Sequence, residues 1–176
     1  MRRILAPALA LAACVTAACG DVRTPETKSD QKAASPSSAF SPMDPNMARA
    51  SSRQTGECSI DLVNGKPAGE GIVLRAGATA RIEGWAADRE TKSVPARAAL
   101  LLRGSDRSYY AYAQRGLVRE DVAKNRGIAE FAKSGYAVSA STEAVQPGDY
   151  SAQIVQETSS GQTECKTGKT IKVTAQ

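Results

Sequence analysis

The sequence predicts one all-β domain of the sandwich or barrel type, with a single short helix, preceded by an export signal and a disordered tether. Three observations carry that expectation. From residue 57 onward, short runs of alternating apolar and polar residues are separated by turn residues about every eight to twelve positions. Aromatics make up only 5% of the chain, so the core must be built from Val, Ile, Leu and Ala around one Trp and a few Tyr. Cys58 and Cys165 bracket nearly all of this region. A chain of 176 residues has room for one such core once a targeting segment and a linker are set aside.

The first element, residues 1–18, reads as a signal peptide. Met1-Arg2-Arg3 is a positive head, and residues 4–18 are an uncharged run of Leu, Ala and Val ending in small residues. About fifteen apolar residues fall short of the roughly twenty that cross a bilayer, so the run directs export and does not span. Leu11-Ala12-Ala13-Cys14 and Thr16-Ala17-Ala18-Cys19, the latter followed by Gly20, both resemble the bacterial lipobox. Cys19 is the expected lipidation site, with Cys14 the alternative. Acyl chains on that cysteine would hold the protein on a membrane, each buried methylene contributing about 0.8 kcal/mol. By resemblance to Gram-negative sorting rules, Gly20 favours the outer membrane over the inner one, while Asp21 weakens that preference. The expected location is the cell envelope, on a lipid anchor.

Residues 19–56 form the second element, a stretch of Ser, Pro, Ala, Thr, Gln, Lys and Asp with only Phe40, two Met and one Val as sizeable apolar residues. Such a composition cannot bury enough surface to offset ordering entropy, and a coil of this length spans roughly 30–35 Å.

The third element is the β domain, residues 57–176. Cys58, Ile60 and Leu62 share one face of a first strand, and Asn64-Gly65 supplies the positive φ angles of a tight turn before Pro67 and Gly69. Residues 72–74, 79–86 and 96–103 read as strands, the last a near-continuous apolar run suited to a central position. Residues 108–115 alternate weakly but carry Tyr109, Tyr110 and Tyr112, which favour half-buried pleated surfaces. Residues 118–126 are the helical candidate, with Glu120 and Asp121 early, Lys124 and Arg126 late, and Gly127 as the stop. Residues 136–141 form another strand, Pro147-Gly148 a turn, and Tyr150, Ala152 and Ile154 alternate inward. Ser160-Gly161 turns the chain back into a strand bearing Cys165, and Ile171 with Val173 closes the domain in a further short strand after Gly168.

Charge and composition exclude several functions. Without Arg2 and Arg3 the mature chain has 21 basic and 18 acidic residues, a net charge of +3, scattered and without the basic, aromatic-laced stripe of nucleic-acid binders. Histidine is absent, which removes the usual general base, triad partner and zinc ligand together. No Ser-x-x-Lys run opens a helix in the folded part. The expectation is a protein without catalytic residues, cofactor or metal. In an exported domain without a Cys-x-x-Cys motif, Cys58 and Cys165 read as a disulfide.

Gly84-Trp85-Ala86-Ala87-Asp88, then Gly116-Leu117-Val118-Arg119-Glu120-Asp121-Val122-Ala123, then Ser134-Gly135-Tyr136 resemble an immunoglobulin-like β-sandwich module of bacterial surface and polysaccharide-associated proteins. The resemblance covers most of residues 60–150 and implies an immunoglobulin-like antiparallel β-sandwich. Pro147-Gly148-Asp149-Tyr150 resembles the turn in which a tyrosine of such domains ties down a corner. Fold says little of function. Two readings follow. One is a non-catalytic envelope lipoprotein that binds a protein or cell-wall partner. The other is a carbohydrate-binding module in which Trp85, otherwise a core filler, joins Tyr109, Tyr110 and Tyr112 as a stacking platform. Arg119 and Asp121 are candidates for ligand contact or for a local ion pair that docks the helix. Asp88 reads as the start of a turn.

Overall fold

The computed structural model describes residues 37–43, 53–54, 56–69, 71–158 and 161–175. The signal segment, Cys14, Cys19 and most of the tether lie outside the described residues. The strands in chain order are β1 (Ser41–Pro42), β2 (Gly56–Val63), β3 (Lys66–Pro67), β4 (Gly71–Arg75), β5 (Thr79–Asp88), β6 (Arg97–Arg103), β7 (Ser108–Tyr112) and β8 (Gln114–Leu117). Helix α1 (Glu120–Arg126) and a 3-10 turn (Ala129–Lys133) follow, then β9 (Gly135–Ser141), β10 (Gly148–Thr158) and β11 (Gly161–Thr174). Two sheets form the sandwich, one of six strands in the order β1-β7-β6-β10-β11-β4 and one of five in the order β3-β2-β5-β9-β8. Their facing sides supply one core, with Ile60, Ile82, Tyr136 and Val138 from the smaller sheet against Leu100, Leu102, Ile154 and Ile171 from the larger. No described helix is long and apolar enough to cross a membrane.

Local chemistry explains most boundaries. Asn64 at φ 50° and Gly65 at φ 75° turn β2 into β3, as the Asn-Gly pair predicts. Helix α1 carries acids in its first turn and bases in its last, and Gly127 ends it at φ 66° while its N–H bonds back to the last turn. Cys58 and Cys165 are joined by a disulfide, with Cα atoms 6.0 Å apart and a sequence separation of 107. Tyr150 Oη donates to Gln146 O at 2.7 Å, so the phenol does tie down its own corner.

The structure departs from the sequence reading at five places. The sandwich is not wholly antiparallel, because β4 runs parallel to β11 after the chain crosses from the smaller sheet to the larger. A bulge between Ile60 and Leu62 leaves Asp61 outside the ladder and reverses the parity, so Val63 packs on the core where Leu62 was expected. Residues 108–115 are two strands, since the chain leaves the larger sheet at Tyr112 and enters the smaller at Gln114, with Ala113 buried at the crossing. β11 runs unbroken past Gly168, whose φ of 73° absorbs a bulge opposite Ala152.

The fifth departure lies in the stretch expected to be coil, where residues 37–43 are seated on the domain. Ser37 N and Met43 N donate to Tyr112 O and Ser108 O of β7, while Phe40 N donates to Ser141 O and Ser141 N to Ser38 O at the end of β9. This arm bridges the two sheets along one side of the sandwich. Phe40, 1% exposed, enters the core between them.

Candidate functional site

The aromatic residues singled out in the sequence do not form one platform, because strand parity sends them to different places. On β5, Ile82, Gly84 and Ala86 face the core, which puts Trp85 and Ala87 on the opposite face of the smaller sheet. There α1 and the 3-10 turn cover them, and Trp85, Ala87, Val122, Ala123 and Phe131 form a second, smaller core. Trp85 is 7% exposed, and the Arg126 guanidinium lies 5.2 Å from its ring centroid, held by Glu57. No ring face is left for a sugar. Tyr109 is buried in the main core, edge-on to Tyr150 at 5.8 Å. The alternative reading of a platform of Trp85 with three tyrosines is thus corrected, and Trp85 is a core filler: Trp85 and Tyr109 are packing residues in separate cores.

Arg119 and Asp121 pair as expected, through two parallel bonds from Nε and Nη2 to the two carboxylate oxygens at 2.9 and 2.7 Å. The third partner, Asp61, carries no mark in the residue pattern. Arg119 Nη1 donates to Asp61 Oδ2 at 2.5 Å, and Ser59 Oγ donates to Asp61 Oδ1 at 2.6 Å. The bulge in β2 frees Asp61 for this contact, so the guanidinium clasps the start of α1 to the edge of the sheet. Its hydrogen bonds to Asp121 and Asp61 raise the Arg119 pKa further, and Arg119 in turn lowers that of Asp121 to about 2.

Arg115 was not singled out by sequence, yet it anchors the same region. Its guanidinium donates to Pro95 O, Ser134 O and Ala86 O at 3.2, 3.0 and 2.8 Å. Burial lowers its pKa to about 10, which leaves it charged at neutral pH. Asp88 opens its turn as expected, Oδ1 accepting from Glu90 N at 3.0 Å. Tyr136 Oη donates to Ser59 O, and burial raises its pKa. These groups build the fold. Among the described residues, no three His, Cys, Asp or Glu converge as a metal cluster.

Tyr110 and Tyr112 are also brought together, away from both cores. They alternate outward from β7 on the outer face of the larger sheet, rings 5.6 Å apart and nearly perpendicular. Arg97 from β6 lies 5.4 Å from the Tyr112 ring centroid and pairs with Glu157 of β10 at 3.1 Å. Tyr112 Oη donates to the same carboxylate at 3.4 Å, and burial followed by the Glu157 charge raises the phenol's pKa. Both tyrosines are half-buried, and Leu101 lies directly across from Tyr110 as an apolar floor. The result is a small raised patch of two rings and a cation on a rigid sheet. At one end of the sandwich, an open groove of about 430 Å³ runs between Arg103, Arg107, Tyr109 and Gln146, with Met43 of the arm at its margin.

Comparison of the chain with protein-family models, with curated proteins and with solved structures finds no match.

Proposed function

We propose that the chain is a non-catalytic, lipid-anchored module of the bacterial cell envelope that binds a protein partner through the outer face of its larger sheet. The observation that carries the binding reading is the Tyr110–Tyr112 pair with Arg97 stacked on Tyr112. Tyr and Arg dominate the energetics of protein interfaces, because they combine large apolar area with few rotamers and a polar tip. Here all three are already held by neighbours, so little ordering entropy would be lost on binding. The anchor reading rests on the lipobox-like runs ending at Cys14 and Cys19, with Cys19 preferred and the outer membrane favoured. The resemblance to immunoglobulin-like surface modules agrees with a display role.

Capture from envelope extracts tests the binding face. The full chain is expected to retain a specific protein that the Tyr110→Ala/Tyr112→Ala variant loses by tenfold or more, about 1.4 kcal/mol or greater. Cooperative unfolding of the variant, checked by circular dichroism, separates lost binding from lost fold. Undiminished capture by a folded variant rejects the face. Sedimentation with peptidoglycan, with no protein captured, would move the partner to the cell wall.

A further inference from the structure

The sandwich has four sheet edges among its described residues, and three of them carry devices that discourage further strand pairing. β1 is two residues long and ends in Pro42, and β3 is two residues long and contains Pro67. β8 has four residues, interrupted by a register shift and by Gly116 at φ 84°. Short length, proline and bulges are the usual means of blunting an edge. β4 has none of them. Its five residues pair with β11 in an unbroken register from Gly71 to Arg75, and among the described residues its other flank has no strand beside it.

The backbone of β4 also shows which groups face outward. Ala76 N donates to Thr174 O at 2.9 Å and Thr174 Oγ1 donates to Leu74 O at 3.3 Å, so the even-numbered residues turn toward β11. Alternation then turns the N–H and C=O of Gly71 and Val73, and the N–H of Arg75, away from the sheet. Arg75 O is already taken, accepting from Ala78 N at 3.2 Å and Thr142 Oγ1 at 2.8 Å. Val73 is 66% exposed, and the space around Gly71 is open.

We propose that β4 pairs antiparallel with β4 of a second copy of this chain, across a two-fold axis at Val73. That register is self-complementary. Each Val73 exchanges N–H and C=O with its twin, and each Arg75 N–H faces Gly71 O of the other copy; only the Gly71 N–H gains no partner, because the Arg75 O opposite it already accepts from Ala78 N and Thr142 Oγ1. The side chains agree: Val73 meets Val73, and Arg75 falls opposite the open Gly71, so no like charges collide. An isologous contact of this kind closes at two copies. Being far smaller than the roughly 1,600 Å² of a standard interface, it is a weak, reversible one. β4 and β7 lie at opposite sides of the larger sheet, which leaves the Tyr110–Tyr112 patch open in the pair.

The test is site-directed cross-linking in the full chain, expressed in its own envelope. A hydrogen-bonded antiparallel pair holds its Cα atoms about 5.5 Å apart, within reach of a disulfide. Val73→Cys is expected to give several-fold more covalent dimer than Val118→Cys, which replaces the other large exposed apolar side chain, at 67% exposure. Sedimentation of the full chain in detergent should show concentration-dependent dimers, and Val73→Lys, with like charges face to face, should abolish them without shifting the unfolding midpoint. Equal cross-linking at 73 and 118, a monomer at every concentration, or a dimer that survives Val73→Lys would each overturn the proposal.

Discussion

Arg119 divides its donors between two carboxylates from distant parts of the chain, one two positions away and the other 58. Arg119→Ala should therefore remove a clasp as well as a local pair, at a cost of about 1–3 kcal/mol in urea unfolding. The Asp121 pKa, lowered from 3.8 to about 2 by Arg119, gives the direction in which this pair responds to pH. A carboxyl that holds its proton less tightly in the folded state favours folding above the unfolded pKa, and that contribution fades as pH falls from about 4 to about 2. Titration of Asp121 by NMR should show the low value, and Arg119→Ala should return it toward 3.8. The pairing of Arg119 with Asp121 was legible because two residues of opposite charge sit two apart at a helix start. Asp61 was not, since its availability depends on a bulge that no residue pattern marks. Trp85 was legible as a packing residue but not as the centre of a second core, because that depends on which side of the sheet α1 covers.

At the scale of elements, period-two alternation, turn residues and the charge order of α1 placed most strands and the helix. The misses share a cause: each hinges on where the chain changes sheet. Residues 108–115 alternate weakly in one run, yet hydrogen bonding hands them from one sheet to the other at Ala113, and alternation does not record which neighbour a strand has. The arm at 37–43 was hidden by its composition, where Ser, Ala and Pro outnumber one aromatic. What orders it is the vacant edge of β7, the end of β9 and a slot for Phe40. Phe40→Ala should accordingly cost about 3–5 kcal/mol, since a wholly buried ring leaves a cavity. Thermal unfolding measures that loss, and limited proteolysis before Arg53 should accelerate in the same variant if the arm detaches.

For the whole molecule, the disulfide ties the first long strand of the smaller sheet to the last strand of the larger. Closing a loop of about 100 residues contributes about 4–5 kcal/mol in the chain-entropy model. Reduction with dithiothreitol should lower the unfolding free energy by roughly that amount, read from urea unfolding with the m-value of each form fitted separately, since the opened denatured chain exposes more surface. That bridge also has a mechanical consequence. A pull between the two ends of the chain travels to Cys58, crosses the sulfur atoms to Cys165, and leaves through the final residues. The loop between the two cysteines lies off the covalent load path while the bond is intact. Load can strip away the arm, the first two residues of β2 and the part of β11 after Cys165, but it cannot draw out the covalent loop that carries Tyr110, Tyr112 and Arg97.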